Sequence, residues 1–143
     1  MDEKLYGYMN WPRIEAIVYG EEASPRDVMG PRITQDGVLV QGFFPDAEEV
    51  SVISGKKTYV CEKEDEAGYF AALLPVRKVP EYKFCVKIGE TVTESYDPYA
   101  FACQITEEEE KAFCAGVYYE AYKKLGAHLM EINGVKGTLF AVW

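Results

Sequence analysis

The sequence predicts a mainly β fold: an immunoglobulin-like antiparallel β-sandwich with a short N-terminal helical segment and a C-terminal helix. Three observations point to it. Between Gly37 and Tyr96, short apolar runs alternate with turn signals. Six runs in about sixty residues leave little room for parallel crossovers, which need a dozen or more residues each. The flanking segments carry helix caps and helix stops instead of alternation.

Taken in order, Asn10 is placed as an N-cap and Pro12 suits a first helical turn. Ile14, Ile17 and Val18 then form an apolar stripe that stops at Gly20. Ser24 with Pro25 repeats the cap signature, and Gly30 with Pro31 closes a second short helix. The strand runs are GVLVQGFF from Gly37, EVSVIS from Glu49, KTYVCE from Lys57, YFAALL from Tyr69, YKFCVKI from Tyr82 and TVTESY from Thr91. The charged stretch KEDEAG between the third and fourth runs reads as a loop. Gly55 and the pair Gly89-Glu90 suit tight hairpin turns. Beyond DPYAF, Thr106 with Glu109 forms a capping-box pattern, and Glu107 to Glu110 places negative charge at the positive end of a helix. Phe113, Val117, Leu125 and either Ala121 or Tyr118 supply its apolar face, and Gly126 ends it. The last run, Thr138 to Trp143, is apolar on both faces, as in a strand covered above and below. The expected division is therefore a helical and loop segment (1–36), the β-sandwich (37–103), a linking helix (104–126) and the first strand of a truncated second sandwich (127–143).

Charge and composition narrow the function. The net charge of −9 argues against nucleic acid and anionic membranes, whose phosphates are bound by Lys and Arg. No apolar run approaches the roughly 20 residues of a membrane span. The N-terminus carries early acidic residues without a signal-peptide pattern, so the expected compartment is the cytoplasm. Cys61, Cys85, Cys103 and Cys114 include no C-x-x-C pair, so reduced thiols are expected rather than a zinc or redox site. His128 is the only histidine, without a recognisable nucleophile beside it. No metal, cofactor or catalytic residue is expected in these 143 residues.

The chain also resembles itself. DVMGPR (27–32) is similar to KKLGAH (123–128), and each is followed by a loop and a Gly-led strand, GVLVQGFF or GTLFAVW. Gly30 and Gly126 are 96 residues apart, and the strand glycines Gly37 and Gly137 are 100 apart. The chain thus reads as one complete β domain followed by the opening of a second.

These residues carry a family resemblance. The stretch YYEAYKKLGAHLMEINGVKGTLFAVW is similar to the opening of the carbohydrate-binding module of family 48 in bacterial 1,4-alpha-glucan branching enzymes. VMGPR, GFFPDAEEVSVISG, GYFAALLP, YKFCVKIGE and DPYAF resemble, in that order, the additional N-terminal domain that precedes the module. Arg32 stands where this family commonly has His, and Ala100 where a basic residue is frequent. The resemblance implies a parent glucosyltransferase of glycoside hydrolase family 13. Such an enzyme cleaves an alpha-1,4 linkage and rejoins the segment through an alpha-1,6 bond, using two carboxyl groups that would lie beyond Trp143. It implies a noncatalytic role for this chain, positioning the catalytic domain or influencing transferred chain length in glycogen biosynthesis, with alpha-glucan (glycogen or maltooligosaccharide) as the parent's partner. The alternatives are a glucan-binding module and a freestanding protein-interaction sandwich. Sugar faces stack on exposed aromatic rings, so Trp11, Tyr59, Tyr69 and Tyr99 are the candidate glucan contacts, with a place in the core or in an interface as the competing reading for Trp11, Tyr69 and Tyr99. Thr138 to Trp143 is expected to pair with a sheet edge of its own domain or of a neighbouring chain.

Overall fold

The computed structural model describes residues 3–143. The chain separates into two compact units, Met1–Ala100 and Phe101–Trp143.

In the first unit, helices α1 (Glu3–Gly7) and α2 (Trp11–Val18) precede a 3-10 turn at Pro25–Asp27. Eight strands follow: β1 (Gly30–Ile33), β2 (Val38–Phe43), β3 (Glu49–Ser54), β4 (Lys57–Val60), β5 (Glu62–Asp65), β6 (Tyr69–Leu74), β7 (Lys83–Ile88) and β8 (Thr91–Ser95). They form two four-stranded antiparallel sheets, ordered β1-β2-β6-β5 and β4-β3-β7-β8. All six strand runs expected from sequence are present. The hairpins turn at Gly55-Lys56, with Ser54 opposite Lys57, and at Gly89-Glu90, with Ile88 opposite Thr91.

Alternation along β2 and β6 explains how the layers stack. Val38, Val40, Phe70, Ala72 and Leu74 point between the sheets and meet Val50, Val52, Phe84 and Val86 from the other sheet. Their neighbours Leu39, Tyr69 and Ala71 point the opposite way and meet Leu5, Ile14 and Ile17 from the helices. A strand buried on both faces reads as a continuous apolar run, which is how VLV and YFAALL look. The one polar side chain on that doubly covered stretch, Gln41, is satisfied: its amide donates to the Val28 carbonyl (2.7 Å) and its oxygen accepts from the Tyr69 hydroxyl (3.0 Å).

Two strands of this unit were hidden in the sequence. Gly30 and Pro31, expected to close a helix, instead open β1 (Gly30–Ile33) on the sheet edge. Lys63 to Asp65, expected as the start of a loop, belong to β5 (Glu62–Asp65), an edge strand whose Lys63 and Asp65 oppose Phe70 and Tyr69 across a register shift. Charged residues on an edge strand discourage pairing with other chains, and that function overrides the alternation by which strands are recognised.

The second unit contains α3 (Glu107–Cys114), a 3-10 turn at Ala121–Lys123, and a hairpin of β9 (Gly126–Ile132) and β10 (Val135–Ala141). Both halves of the expected capping box form: the Thr106 hydroxyl accepts from the Glu109 amide, and the Glu109 carboxylate accepts from the Thr106 amide. The helix is shorter than expected. It ends before Gly116, whose φ of +72° takes the left-handed conformation of a helix stop, so the apolar stripe from Phe113 to Leu125 spans two elements. The terminal run is likewise the second strand of a hairpin, turned by Asn133-Gly134 with φ of +51° and +79°. Its pairing partner is β9 of the same chain.

Candidate functional site

The four candidate glucan contacts do not converge. Tyr69 is fully buried on the helix-covered face of β6 and its hydroxyl is committed to Gln41. It is a core residue that no ligand reaches, and not the glucan contact its sequence position suggested. Trp11 opens α2 and packs against the same helix-side cluster; its ring lies 5.3 Å from that of Tyr6, and its indole N–H is buried without a partner among the described residues. Tyr59 lies on β4 opposite Val52 and packs against the inter-sheet core. Tyr99 lies over the start of β1. A Cβ added to Gly30 would come within 2.8 Å of the Tyr99 Cβ.

Tyr99 is held there by the residue two before it. The Asp97 carboxylate accepts from the Tyr99 amide (2.8 Å) and from the Tyr82 hydroxyl, and Asp97 is only 2% exposed. Burial raises the pKa of Asp97 against the opposing pull of these two hydrogen bonds, and burial together with Asp97 raises that of Tyr82. The DPY turn is thus a clasp that ties the end of β8 to the core and closes over β1. Arg26 adds its guanidinium above the Tyr99 ring at 5.9 Å.

The second unit repeats the opening of the first, turn for turn. Helix α2 (Trp11–Val18) corresponds to α3 (Glu107–Cys114), its stop Gly20 to Gly116, the turn Pro25–Asp27 to Ala121–Lys123, and Gly30 to Gly126. Every one of these pairs is 96 residues apart. The backbone hydrogen bonds follow the same offset: Glu21 N–H to Ala16 O becomes Val117 N–H to Ala112 O, and Met29 N–H to Pro25 O becomes Leu125 N–H to Ala121 O. In the hairpins, Gly30 faces Gln41 and Arg32 faces Leu39, while Gly126 faces Ala141 and His128 faces Leu139. Even the side-chain locks recur with altered chemistry. Arg13 forms a two-pronged ion pair with Glu22 (2.7 and 2.8 Å); at the matching positions, Glu109 accepts from Tyr118 (2.8 Å). Arg32 donates to the Asp27 carbonyl, and the His128 ring bonds the Leu125 carbonyl (2.9 Å). The short sequence match at 27–32 was the visible tip of this longer correspondence.

What differs is cover. In β2 one face meets helices and the other meets a sheet. In the second hairpin the face of His128, Ile132, Val135, Leu139 and Ala141 is half-buried, with the Trp143 ring 3.9 Å from that of Phe113 on α3. The opposite face, Ala127, Leu129, Glu131, Lys136, Thr138, Phe140 and Val142, is exposed throughout. Leu129 and Val142 are 89% and 88% exposed, and a shallow cleft of about 440 Å³ lies along Leu129, Glu131, Lys136 and Thr138. Leu129, Phe140 and Val142 thus place large apolar side chains on an exposed face.

A family model described as alpha-1,4-glucan branching enzyme GlgB, N-terminal domain, matches residues 10–99. The chain belongs to that family. Among curated proteins it is 33% identical over 138 residues to the 1,4-alpha-glucan branching enzyme GlgB of Trichodesmium erythraeum, covering 92% of this chain and 18% of that protein. It is 35% identical over 128 residues to the GlgB of Rhodopseudomonas palustris, covering 89% and 18%. The chain therefore spans about a fifth of the length of the relatives it matches. Among solved structures it is similar to a pullulanase from Paenibacillus barengoltzii in complex with maltohexaose and alpha-cyclodextrin (21% identity, TM-score 0.46, 63% of this chain and 17% of that one). It is also similar to the catalytic module of the pneumococcal virulence factor SpuA (19%, TM-score 0.45, 68% and 16%). The family match covers the first unit, as the sequence resemblance implied.

Proposed function

We propose that this chain is the N-terminal portion of a 1,4-alpha-glucan branching enzyme, and that its own role is noncatalytic: it positions the catalytic domain or influences the length of the glucan segment transferred. The observation that carries the proposal is the coverage. Relatives matching nine-tenths of this chain do so over 18% of their own length, so most of the enzyme lies outside the matched stretch. In this reading the first unit is an immunoglobulin-like sandwich and the second opens a carbohydrate-binding module of family 48. The bare face of β9–β10 supports this, because in the first unit the corresponding face lies against a second sheet. On the isolated chain, that bare face and the open edge of β10 are where pairing between chains through Thr138–Trp143 would occur. Four free cysteines suit the reducing cytoplasm, and burial pushes the Cys61 thiol up to about 12.

The test is deletion of residues 1–100 from the full-length enzyme, followed by analysis of the chain lengths in the branched product. A shifted distribution with branching retained is the expected result; an unchanged distribution overturns the role. Direct glucan contact reduces to Trp11, Tyr59 and Tyr99, with the Tyr6–Trp11 ring pair as its most accessible element. Retardation of the chain in a glycogen affinity gel, lost in Trp11→Ala, would support it. Migration unaffected by glycogen would remove it.

A further inference from the structure

Apart from the aromatic candidates, the first unit carries a polar cleft of about 640 Å³ at one end of its helix-covered sheet, between the turn that joins β1 to β2 and the segment that follows β6. Strand pairing dictates this meeting: Val38 at the start of β2 faces Leu74 at the end of β6, so the two connections leave the sheet side by side. Gly37 lets them touch. With its φ at +152°, a Cβ there would lie 2.1 Å from the Leu74 carbonyl oxygen. Short hydrogen bonds then fix both walls. The Thr34 hydroxyl and amide donate to the Gly37 carbonyl (2.8 and 2.7 Å), and the Val76 amide donates to the Leu74 carbonyl (2.8 Å). The cleft is therefore preformed, and its volume lies within the range of small-molecule sites.

Its side chains offer donors and acceptors together. Asp36 accepts from the Tyr8 hydroxyl (2.8 Å) at one carboxylate oxygen and from the Lys4 ammonium (3.3 Å) at the other. The bond from Tyr8, with that from Lys4 next, holds the Asp36 carboxyl below its ordinary pKa, and each oxygen keeps a lone pair for a further donor. Arg77, on the other wall, is exposed and paired neither with Asp36 nor with any other described residue, and the exposed Gln35 amide is likewise unengaged. Pro75 and Val76 add an apolar strip. An anion would meet Asp36 and a cation would meet Arg77, whereas a neutral polyol uses both, because each hydroxyl donates and accepts. Fastening α1 to the turn accounts for Asp36 alone. We propose that this cleft is an accessory sugar subsite that takes a short stretch of α-1,4-glucan, with Asp36, Arg77 and Gln35 hydrogen-bonding its hydroxyls and Pro75 and Val76 against the apolar pyranose face. The ligand assignment rests on the reading of the chain as part of a branching enzyme, and the site is separate from Trp11, Tyr59 and Tyr99.

Affinity gels containing glycogen, with maltoheptaose as soluble competitor, test the site in this chain. Arg77 and Gln35 engage no described residue, so Arg77→Ala and Gln35→Ala should melt like the parent chain by circular dichroism. Their dissociation constants for glycogen should rise about tenfold and about threefold, the losses expected for a charged and a neutral hydrogen-bonding partner. Lys56→Ala, at the tip of the β3–β4 hairpin, removes a positive charge elsewhere on the same unit and should leave retardation unchanged. Equal retardation of the parent chain, Arg77→Ala and Gln35→Ala overturns the subsite, and so does a parent chain that glycogen does not retard. Branching of amylose by the longer enzyme is the separate readout. Its absence sinks the branching-enzyme reading, whereas branching together with unaltered retardation of the variants removes the subsite alone.

Discussion

The hairpins β1–β2 and β9–β10 share a register, a preceding 3-10 turn and a glycine of positive φ at the entry. Yet Leu39 is fully buried while its counterpart Leu139 is half-buried, and Val40 is fully buried while Phe140 is 74% exposed. The contrast separates two sources of structure. Caps, turn glycines and strand pairing are written locally, and they build the same backbone twice. Burial is supplied by distant segments: helices α1 and α2 cover Leu39, and a second sheet covers Val40. An isolated two-stranded hairpin is marginal in water, so the second unit shows a local code without its tertiary reward.

Substitution at matching positions sharpens the comparison most strongly in the strands. Leu39→Ala should destabilise the first unit by about 2–5 kcal/mol. Phe140→Ala, at an exposed site, should stay within about 0.5 kcal/mol in this 143-residue chain. Urea unfolding monitored by circular dichroism reads both, and equal losses would break the contrast. Next come the entry glycines. Gly30→Ala meets both backbone strain and the Tyr99 clasp and should cost about 2 kcal/mol or more, whereas Gly126→Ala meets strain alone and should cost roughly 1–2 kcal/mol; thermal melts of the two variants would rank them.

Smaller effects are expected at the helix starts, where the units differ in the other direction. Asn10 has no side-chain cap hydrogen bond, while Thr106 completes a capping box. Thr106→Ala should therefore cost about 1 kcal/mol of local stability and Asn10→Ala close to none, measurable by amide exchange in α3 and α2. The smallest effect concerns pH. The Arg13 guanidinium lowers the Glu22 carboxyl from the ordinary 4.5 to about 2. A lowered folded-state pKa stabilises above pH 4.5, and that contribution is lost as pH falls towards 2. In Glu22→Gln, acid unfolding over that window should become less steep, and an unchanged acid transition would contradict the assignment.

How much of this was legible depended on whether the signal was local. The six strand runs, both tight hairpin turns and the Thr106 capping box follow from residues a few positions apart. The charged edge strand β5 was not legible, because nothing buries one of its faces strongly enough to impose alternation. The Asn133-Gly134 dipeptide between apolar runs is a strong hairpin signal that implies a strand, β9, on its N-terminal side. Likewise, Gly116 matched to Gly20 would have ended α3 in the right place. The candidate site fared less well. Tyr69 sits in a strand covered on both faces, and its sequence context does not tell a core tyrosine from a stacking one. Only its placement under the helices does.

Hydrogen exchange on the second hairpin tests the central claim most directly, comparing this chain with the full-length protein. In the 143-residue chain, the paired amides of β9 and β10 should be protected at least about 100-fold less than those of β2 and β6. If the proposed reading of this chain as part of a longer branching enzyme holds, the two sets should become comparable in that longer protein, with Leu129, Phe140 and Val142 covered there. A hairpin that stays unprotected there, or that is already as protected as β2 in the shorter chain, would contradict the account.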